Sequence, residues 1–247
     1  MVIAIIQARM GSTRLPGKVL MEVNGRPLLA YQLDRISKSK KLDRVIVATS
    51  TLEKDGAIES FCKSYGVDCY RGSEDDVMSR YYECAKQYSP DAIVRITADC
   101  PLIDPEIIDK VVQKFKDNNV DYCANTVPPE TSKFPDGSDI EVFSMKALER
   151  ANIEVQDEHR REHVTFQFWQ DKNYTSSQYI QDKDWSKYRI TVDYPEDFEV
   201  VQYVFNELKN KKIFGNLDEI INIINSNNKI KEKNSQYFFG QGWEDNL

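Results

Sequence analysis

Apolar residues fill positions 2–6 (VIAII) and then give way to QARMGSTRLPGK, a stretch of glycine, serine, proline and cations. The first run predicts a buried strand and the second a loop leaving its end. Residues 18–23 alternate apolar and polar up to Asn24-Gly25, a pair suited to a tight turn. Pro27 can start a helix over about 27–38, with Leu28, Leu29, Leu33 and Ile36 on one face. RVIVA at 44–48 has the branched character of a parallel strand covered on both sides. Ser50 with Glu53 reads as a capping box for a helix burying Ala57, Ile58 and Phe61 and ending at Gly66.

The alternation continues. A short strand at 67–70 precedes a helix over about 75–88, a strand at 92–97 (AIVRIT), and a helix opened by Pro105 that carries Ile107, Ile108, Val111, Val112 and Phe115. Repeated strand-then-helix units predict an α/β fold with a mostly parallel central sheet, and the handedness of their crossovers brings the strand ends to one ligand-binding edge. Past the apolar residues 120–124 the rhythm loosens into a long loop at 125–138 and a short strand at 139–143, then helices near 144–151 and 157–169. Strand character returns at 188–192 (YRITV), followed by a helix from Pro195 and another over 216–226. The expected organisation is one domain, 1–247, with an excursion at about 125–185 of the kind that serves as a substrate lid or dimer contact.

Charge narrows the partners. Lysine and arginine number 33 against 40 acidic residues, a net charge of -7, which disfavours extended nonspecific nucleic-acid binding but leaves room for a small anion in a locally basic cleft. A hydrophobic fraction of 40% and a charged fraction of 30% fit a folded globular chain. No apolar run approaches a membrane span and no signal-type segment precedes Gln7, so a cytoplasmic location is expected. Cys62, Cys69, Cys84, Cys100 and Cys123 are odd in number, lack zinc-type spacing and read as reduced thiols. The basic strings after residue 208 and the aromatic end YFFGQGWEDNL fit either an ordered strap or a solvated tail.

The candidate chemistry starts in the first loop. It lacks both the dinucleotide-binding and the P-loop glycine patterns. It offers Gly11 and Ser12 between Arg9, Arg14 and Lys18, so backbone amides can line a phosphate while the cations neutralise it. For each cation alone, a solvated surface role is the alternative. Two later strings, RITADCP at 95–101 and RITVDYP at 189–195, share the pattern RITxDxP. Each places an aspartate, Asp99 or Asp193, where a strand stops and proline turns the chain away. Two carboxylates facing one anionic substrate call for a hard cation, and Mg²⁺ takes such ligands alongside phosphate oxygens. Helix capping is the competing role for either aspartate.

In the middle of the chain, Asp136, Asp139 and Glu141 surround the turn permitted by Gly137 and could bind sugar hydroxyls or be hydrated or paired edge groups. Arg161, Glu162 and His163 form a second candidate acceptor cluster. His159 lies four residues before His163, but no HExxH zinc pattern exists, and cap or ion-pair roles suit these imidazoles equally well.

AIIQARMGSTRLPGKVL, with NGRPLLAYQLDRI, TADCPLI, FPDGSDIEVFS, REHVT and TVDYPED, resembles the spore-coat polysaccharide protein F-like branch of the acylneuraminate cytidylyltransferase family over roughly residues 1–200. The resemblance implies a nucleotide-diphospho-sugar transferase-like three-layer sandwich, CTP and Mg²⁺, a homodimer, and transfer of CMP to a sugar or sugar-acid acceptor with release of pyrophosphate in surface or spore-coat polysaccharide synthesis. It would have Arg9, Arg14 and Lys18 embrace the triphosphate, Gly11 and Ser12 shape the loop, Gln7 and Ala8 lie near the base, Arg71 border the same pocket, and Asp99 and Asp193 hold the metal. QARMGSTRLPGK departs from the PARxGSxxxPxKN-like form of the sialic-acid and octulosonic-acid enzymes, which leaves nucleotide chemistry better defined than acceptor identity. Two alternatives stand beside this reading: a sugar-1-phosphate nucleotidyltransferase using another base, and a non-catalytic nucleotide-sugar-binding or structural protein.

Overall fold

A computed structural model describes residues 1–241. In chain order the elements are β1 (Val2–Gln7), a hairpin of β2 (Glu22–Val23) and β3 (Arg26–Pro27), α1 (Leu28–Ile36), β4 (Arg44–Ser50), α2 (Gly56–Tyr65), β5 (Asp68–Gly72), α3 (Val77–Lys86), β6 (Ala92–Thr97), α4 (Pro105–Asn118) and β7 (Tyr122–Ala124). There follow β8 (Glu141–Ser144), α5 (Met145–Glu154), α6 (Glu158–His163), α7 (Phe166–Gln170), β9 (Ser176–Gln178), α8 (Pro195–Lys211), α9 (Leu217–Asn225) and α10 (Asn228–Glu232).

The main sheet runs β5-β4-β1-β6-β8-β7-β9. Pairings of β1 with β4 and β6, of β4 with β5 and of β7 with β9 are parallel, whereas β8 runs antiparallel to both β6 and β7. Strand alternation divides β1 between two apolar clusters: Val2, Ala4 and Ile6 face one and Ile3 and Ile5 the other. The first cluster takes side chains from α1, α2, α4, α8 and α9, the second from α3, α5 and α7. Helices thus cover both faces of a largely parallel sheet, a three-layer α/β sandwich. Each fully buried branched side chain in β1 contributes about 1.5–3 kcal/mol, so the strand that delivers the first loop is anchored firmly.

Local differences from the sequence expectations have local causes. Pro27 closes β3 rather than entering α1. Ser50 is the last residue of β4, and its hydroxyl donates to the Asp55 carboxylate, so no capping box forms with Glu53. The helix expected over 157–169 is two short ones, because Val164 takes a positive φ of 61° between them. The strand expected at 188–192 reduces to a single bridge between Asp136 and Arg189, and the strand expected from 139 begins at Glu141. Asn24 and Gly25 do make the tight turn, both with positive φ. The five cysteines are free; four are buried and Cys69 is half-buried.

After α10 the chain passes back across the start of α8, where the Lys233 ammonium lies 2.7 Å from Glu199. The basic and aromatic end is therefore an ordered strap as far as residue 241. Residues 242–247, the last part of the YFFGQGWEDNL stretch, lie outside the described residues.

Candidate active site

The ends of β1 and β6 open into a cleft of about 500 Å³ whose walls include Gln7, Arg9, Ser12, Arg14, Lys18, Arg95, Thr97, Asp99 and Asp193. The first loop is tied down at both ends. The Met10 N–H donates to Asp55 Oδ1 at 2.7 Å, and Asp55 is fully buried. The Gly17 N–H closes back on the Met10 carbonyl at 3.0 Å, with Gly17 at a φ of 73° that glycine adopts without strain. These bonds set the Cα path that turns Arg14 and Lys18 inward.

Lys18 sits at the centre. It is 8% exposed, and its ammonium donates to Asp99 Oδ2 at 3.0 Å and Asp193 Oδ1 at 2.6 Å. Arg14 Nη2 lies 3.0 Å from the same Asp193 oxygen. Burial alone would lower the Lys18 pKa, but the two carboxylates outweigh it and raise it. Burial likewise pushes Asp99 up, and the Lys18 charge with hydrogen bonds from Thr97 and Lys18 brings it down to about 2.

The two RITxDxP strings are physical neighbours: the Val192 N–H donates to the Asp99 carbonyl at 2.9 Å and the Thr191 hydroxyl to the same oxygen at 3.1 Å. Neither aspartate caps a helix. Asp104 caps α4, and fully buried Asp197 accepts the Asp193 and Tyr194 N–H groups at 3.0 Å each. The arginine four residues before each aspartate is acid-bound, Arg189 buried and Arg95 half-buried. Arg189 donates to Asp136, to Asp193 Oδ2 at 3.1 Å and to Asp197 Oδ1 at 2.9 Å. Arg95 pairs with Glu141, whose other oxygen accepts from Tyr122 at 2.6 Å. Gly137 lets the Asp136 loop press on this region, since a Cβ there would stand 2.1 Å from the Thr191 backbone nitrogen.

Asp136, Asp139, Glu141, Glu162 and His163 also line the cleft, with Phe166 and Trp169. Burial, then the negative charge of Asp139, raises Asp136 well above the carboxylate range, because Arg189 divides its charge among three acids. Burial raises Asp139 to about 6 against hydrogen bonds from Thr126 and the Gly137 N–H. Burial, then the neighbouring His159, lowers His163 to about 4. The His163 and Phe166 rings stack with centroids 4.5 Å apart, and the buried Trp169 Nε1 has no hydrogen-bond partner among the described residues.

Several expected site residues fall elsewhere. Arg71 donates to the Ser50 and Leu52 carbonyls at 3.0 and 2.8 Å and pairs with Glu59, so its fork is consumed in fixing α2 to the β4 end and it is absent from the cleft walls. Arg161 is spent on Asp76 and on the Asn152 and Val155 carbonyls, clamping α6 to α3 and α5. Ala8 is in the core, and Gly11 packs toward Lys54, so neither lines the cleft. Arg9 is exposed on the rim and makes no ion pair among the described residues. Arg189, Arg95, Asp197 and Tyr194 were not singled out from the sequence; the arginine-to-aspartate spacing repeated in RITxDxP carried the signal for the first two.

Among the described residues no group of three or more histidine, cysteine or acidic side chains forms a ready metal cage. The Asp99–Asp193 pair still fits Mg²⁺, which commonly takes one or two carboxylates and completes its shell with phosphate and water. Asp99 lines the cleft, and its Oδ1 accepts from the Cys100 thiol at 3.6 Å. No helix among the described residues is long and apolar enough to cross a membrane.

Comparison with known proteins agrees with this geometry. A family model described as cytidylyltransferase matches residues 3–238. The chain is 40% identical over 239 residues to an uncharacterized protein of Methanocaldococcus jannaschii, covering 95% of this chain and 94% of that one. It is 31% identical over 234 residues to the spore coat polysaccharide biosynthesis protein SpsF of Bacillus subtilis, covering 92% and 95%. A solved cytidylyltransferase from Leptospira borgpetersenii superposes with a TM-score of 0.87 at 34% identity, covering 93% of this chain and 96% of that one. On this breadth of agreement the chain belongs to the cytidylyltransferase family and is a nucleotidyltransferase.

Proposed function

We propose that this chain transfers CMP from CTP to a sugar acid or related sugar acceptor, with Mg²⁺, releasing pyrophosphate, and that it serves surface or spore-coat polysaccharide synthesis. The observation that carries the reading is Lys18 held between Asp99 and Asp193 under a loop that also brings Arg9 and Arg14 to the cleft. The name of the SpsF relative, a spore coat polysaccharide biosynthesis protein, supports the polysaccharide setting.

In this reading Arg9 and Arg14 take the outer phosphates, and Lys18 shares its charge between the two aspartates and the phosphoryl oxygens. Arg14 and Lys18 are held by Asp193 and Asp99 before substrate arrives, so they stabilise charge developing on the leaving pyrophosphate with little reorganisation. Asp99 and Asp193 would hold Mg²⁺, which when bound supplies further charge stabilisation to phosphate oxygens. The acceptor enters from the side of Asp139, Glu162, His163 and Trp169. Holding its hydroxyl in line with the α-phosphorus supplies the orientation term. The 125–185 excursion frames that side and is proposed as the acceptor and homodimer face.

A nucleotide-by-acceptor panel read by pyrophosphate release tests the proposal. CTP with an acidic sugar should turn over; turnover only with another nucleotide and a sugar phosphate, or binding without turnover, would sink it.

A further inference from the structure

The cleft wall is completed by the C-terminal strap, which none of the charged motifs includes. Phe239, Gly240 and Gln241 line it. The strap is fastened at Asn234, which is 4% exposed although it lies in a short turn after α10. Its Nδ2 donates to the Arg189 carbonyl at 3.1 Å and to Asp197 Oδ1 at 2.8 Å, which uses both amide hydrogens. Asp197 is the hub that receives the Asp193 and Tyr194 N–H groups and the Arg189 guanidinium. Three residues on, the Tyr237 ring stacks flat on Tyr194, centroids 3.9 Å apart and 2° from parallel. Arg14, the cation that reaches Asp193, lies over Tyr194 at 5.1 Å. The strap thus touches both neighbours of Asp193: the hub behind its backbone and the ring beside its partner cation.

We propose that Asn234 is a positioning residue for the phosphate end of the cleft, holding Asp197 and Arg189 so that Asp193 faces Lys18, with Tyr237 fixing Tyr194 under Arg14. This rests on the reading of the cleft as a site for CTP with Mg²⁺. Asp197 Oδ1 also accepts from Arg189 Nε at 2.9 Å, a bond that does not involve the Asn234 amide. Shape alone does not account for the residue: Asn234→Asp preserves size but sets a carboxylate against Asp197, where a donor is required.

The test compares wild type, Asn234→Asp, Asn234→Ala, Tyr237→Ala and Tyr237→Phe. The first readout is hydrogen exchange at the Asp193 and Tyr194 amides without nucleotide, which is independent of the transfer reaction. Both Asn234 variants should exchange faster there while exchange in β1 and β6 is unchanged. The second is CTP titration with and without Mg²⁺. The Asn234 variants and Tyr237→Ala should lose at least tenfold in affinity with Mg²⁺ and far less without it, and Tyr237→Phe, which keeps the stacked ring, should bind like wild type. Unchanged exchange at both amides, or an equal loss with and without Mg²⁺, overturns the proposal. A wild-type chain that binds CTP with Mg²⁺ but transfers to no acceptor would remove the transfer reading and leave the positioning role to these two measurements.

Discussion

The Lys18 ammonium lies 2.6 Å from Asp193 and 3.0 Å from Asp99, so one cation holds together two carboxylates that would otherwise repel. Replacing it by glutamine should lower kcat by about 10²–10³. It should also raise the Asp99 pKa from about 2, since the Lys18 charge is the chief force holding it down against burial. A carboxylate with a depressed folded pKa stabilises the fold above its unfolded value and loses that contribution as pH falls through the folded one. Lys18→Gln should therefore be less stable than wild type near neutral pH and lose less stability as the solution is acidified, which carboxyl NMR and acid unfolding would check.

Asp99→Asn and Asp193→Asn should each abolish most Mg²⁺-dependent turnover while the protein stays folded by circular dichroism. Normal turnover in both would refute their metal role.

Much of this pair was legible in the sequence. The RITxDxP repeat located both aspartates, the QARMGSTRLPGK loop located their cations, and the apolar runs located the strands that deliver them. Arg71 and Arg161 were misplaced because an arginine beside a motif looks the same whether its fork meets a ligand or backbone carbonyls. Asn234 carried no signal, because an asparagine in a polar tail acquires its role only when the chain returns to Asp197. The strand expected at 188–192 failed because that segment, apolar enough for a sheet, pairs through one bridge to the Asp136 loop.

Asp55 should prove to be a support of the first loop. Asp55→Ala leaves the Met10 N–H and the Ser50 hydroxyl without their acceptor, at a cost of about 1–3 kcal/mol. The KM for CTP should rise more than kcat falls, because Asp55 orders the loop without touching substrate; steady-state kinetics and thermal unfolding would show both.

Arg14 and Arg71 should separate cleanly. Arg14→Ala removes a cleft cation and should reduce kcat/KM by about 10²-fold. Arg71→Ala loosens α2 and should cost about 1 kcal/mol of stability with turnover close to wild type. A large kinetic loss in Arg71→Ala would return that residue to the site.

His163, lowered from 6.5 to about 4, should stay neutral through the physiological range. Between pH 6.5 and 4 the unfolded chain takes up a proton at this imidazole that the folded chain refuses, so stability falls as the solution is acidified. His163→Phe keeps an aromatic ring against Phe166 and removes this dependence; comparing thermal midpoints of the two proteins across that window measures it.

The partners Lys18 and Asp193 are separated by 175 positions in the sequence. During synthesis the basic loop is made before either carboxylate, so Lys18 can meet Asp99 first but lacks its second counter-charge, and Arg14 its partner, until Asp193 has emerged. Closing so distant a contact is entropically slow, which makes the chemistry of this protein one of the last properties it acquires on folding.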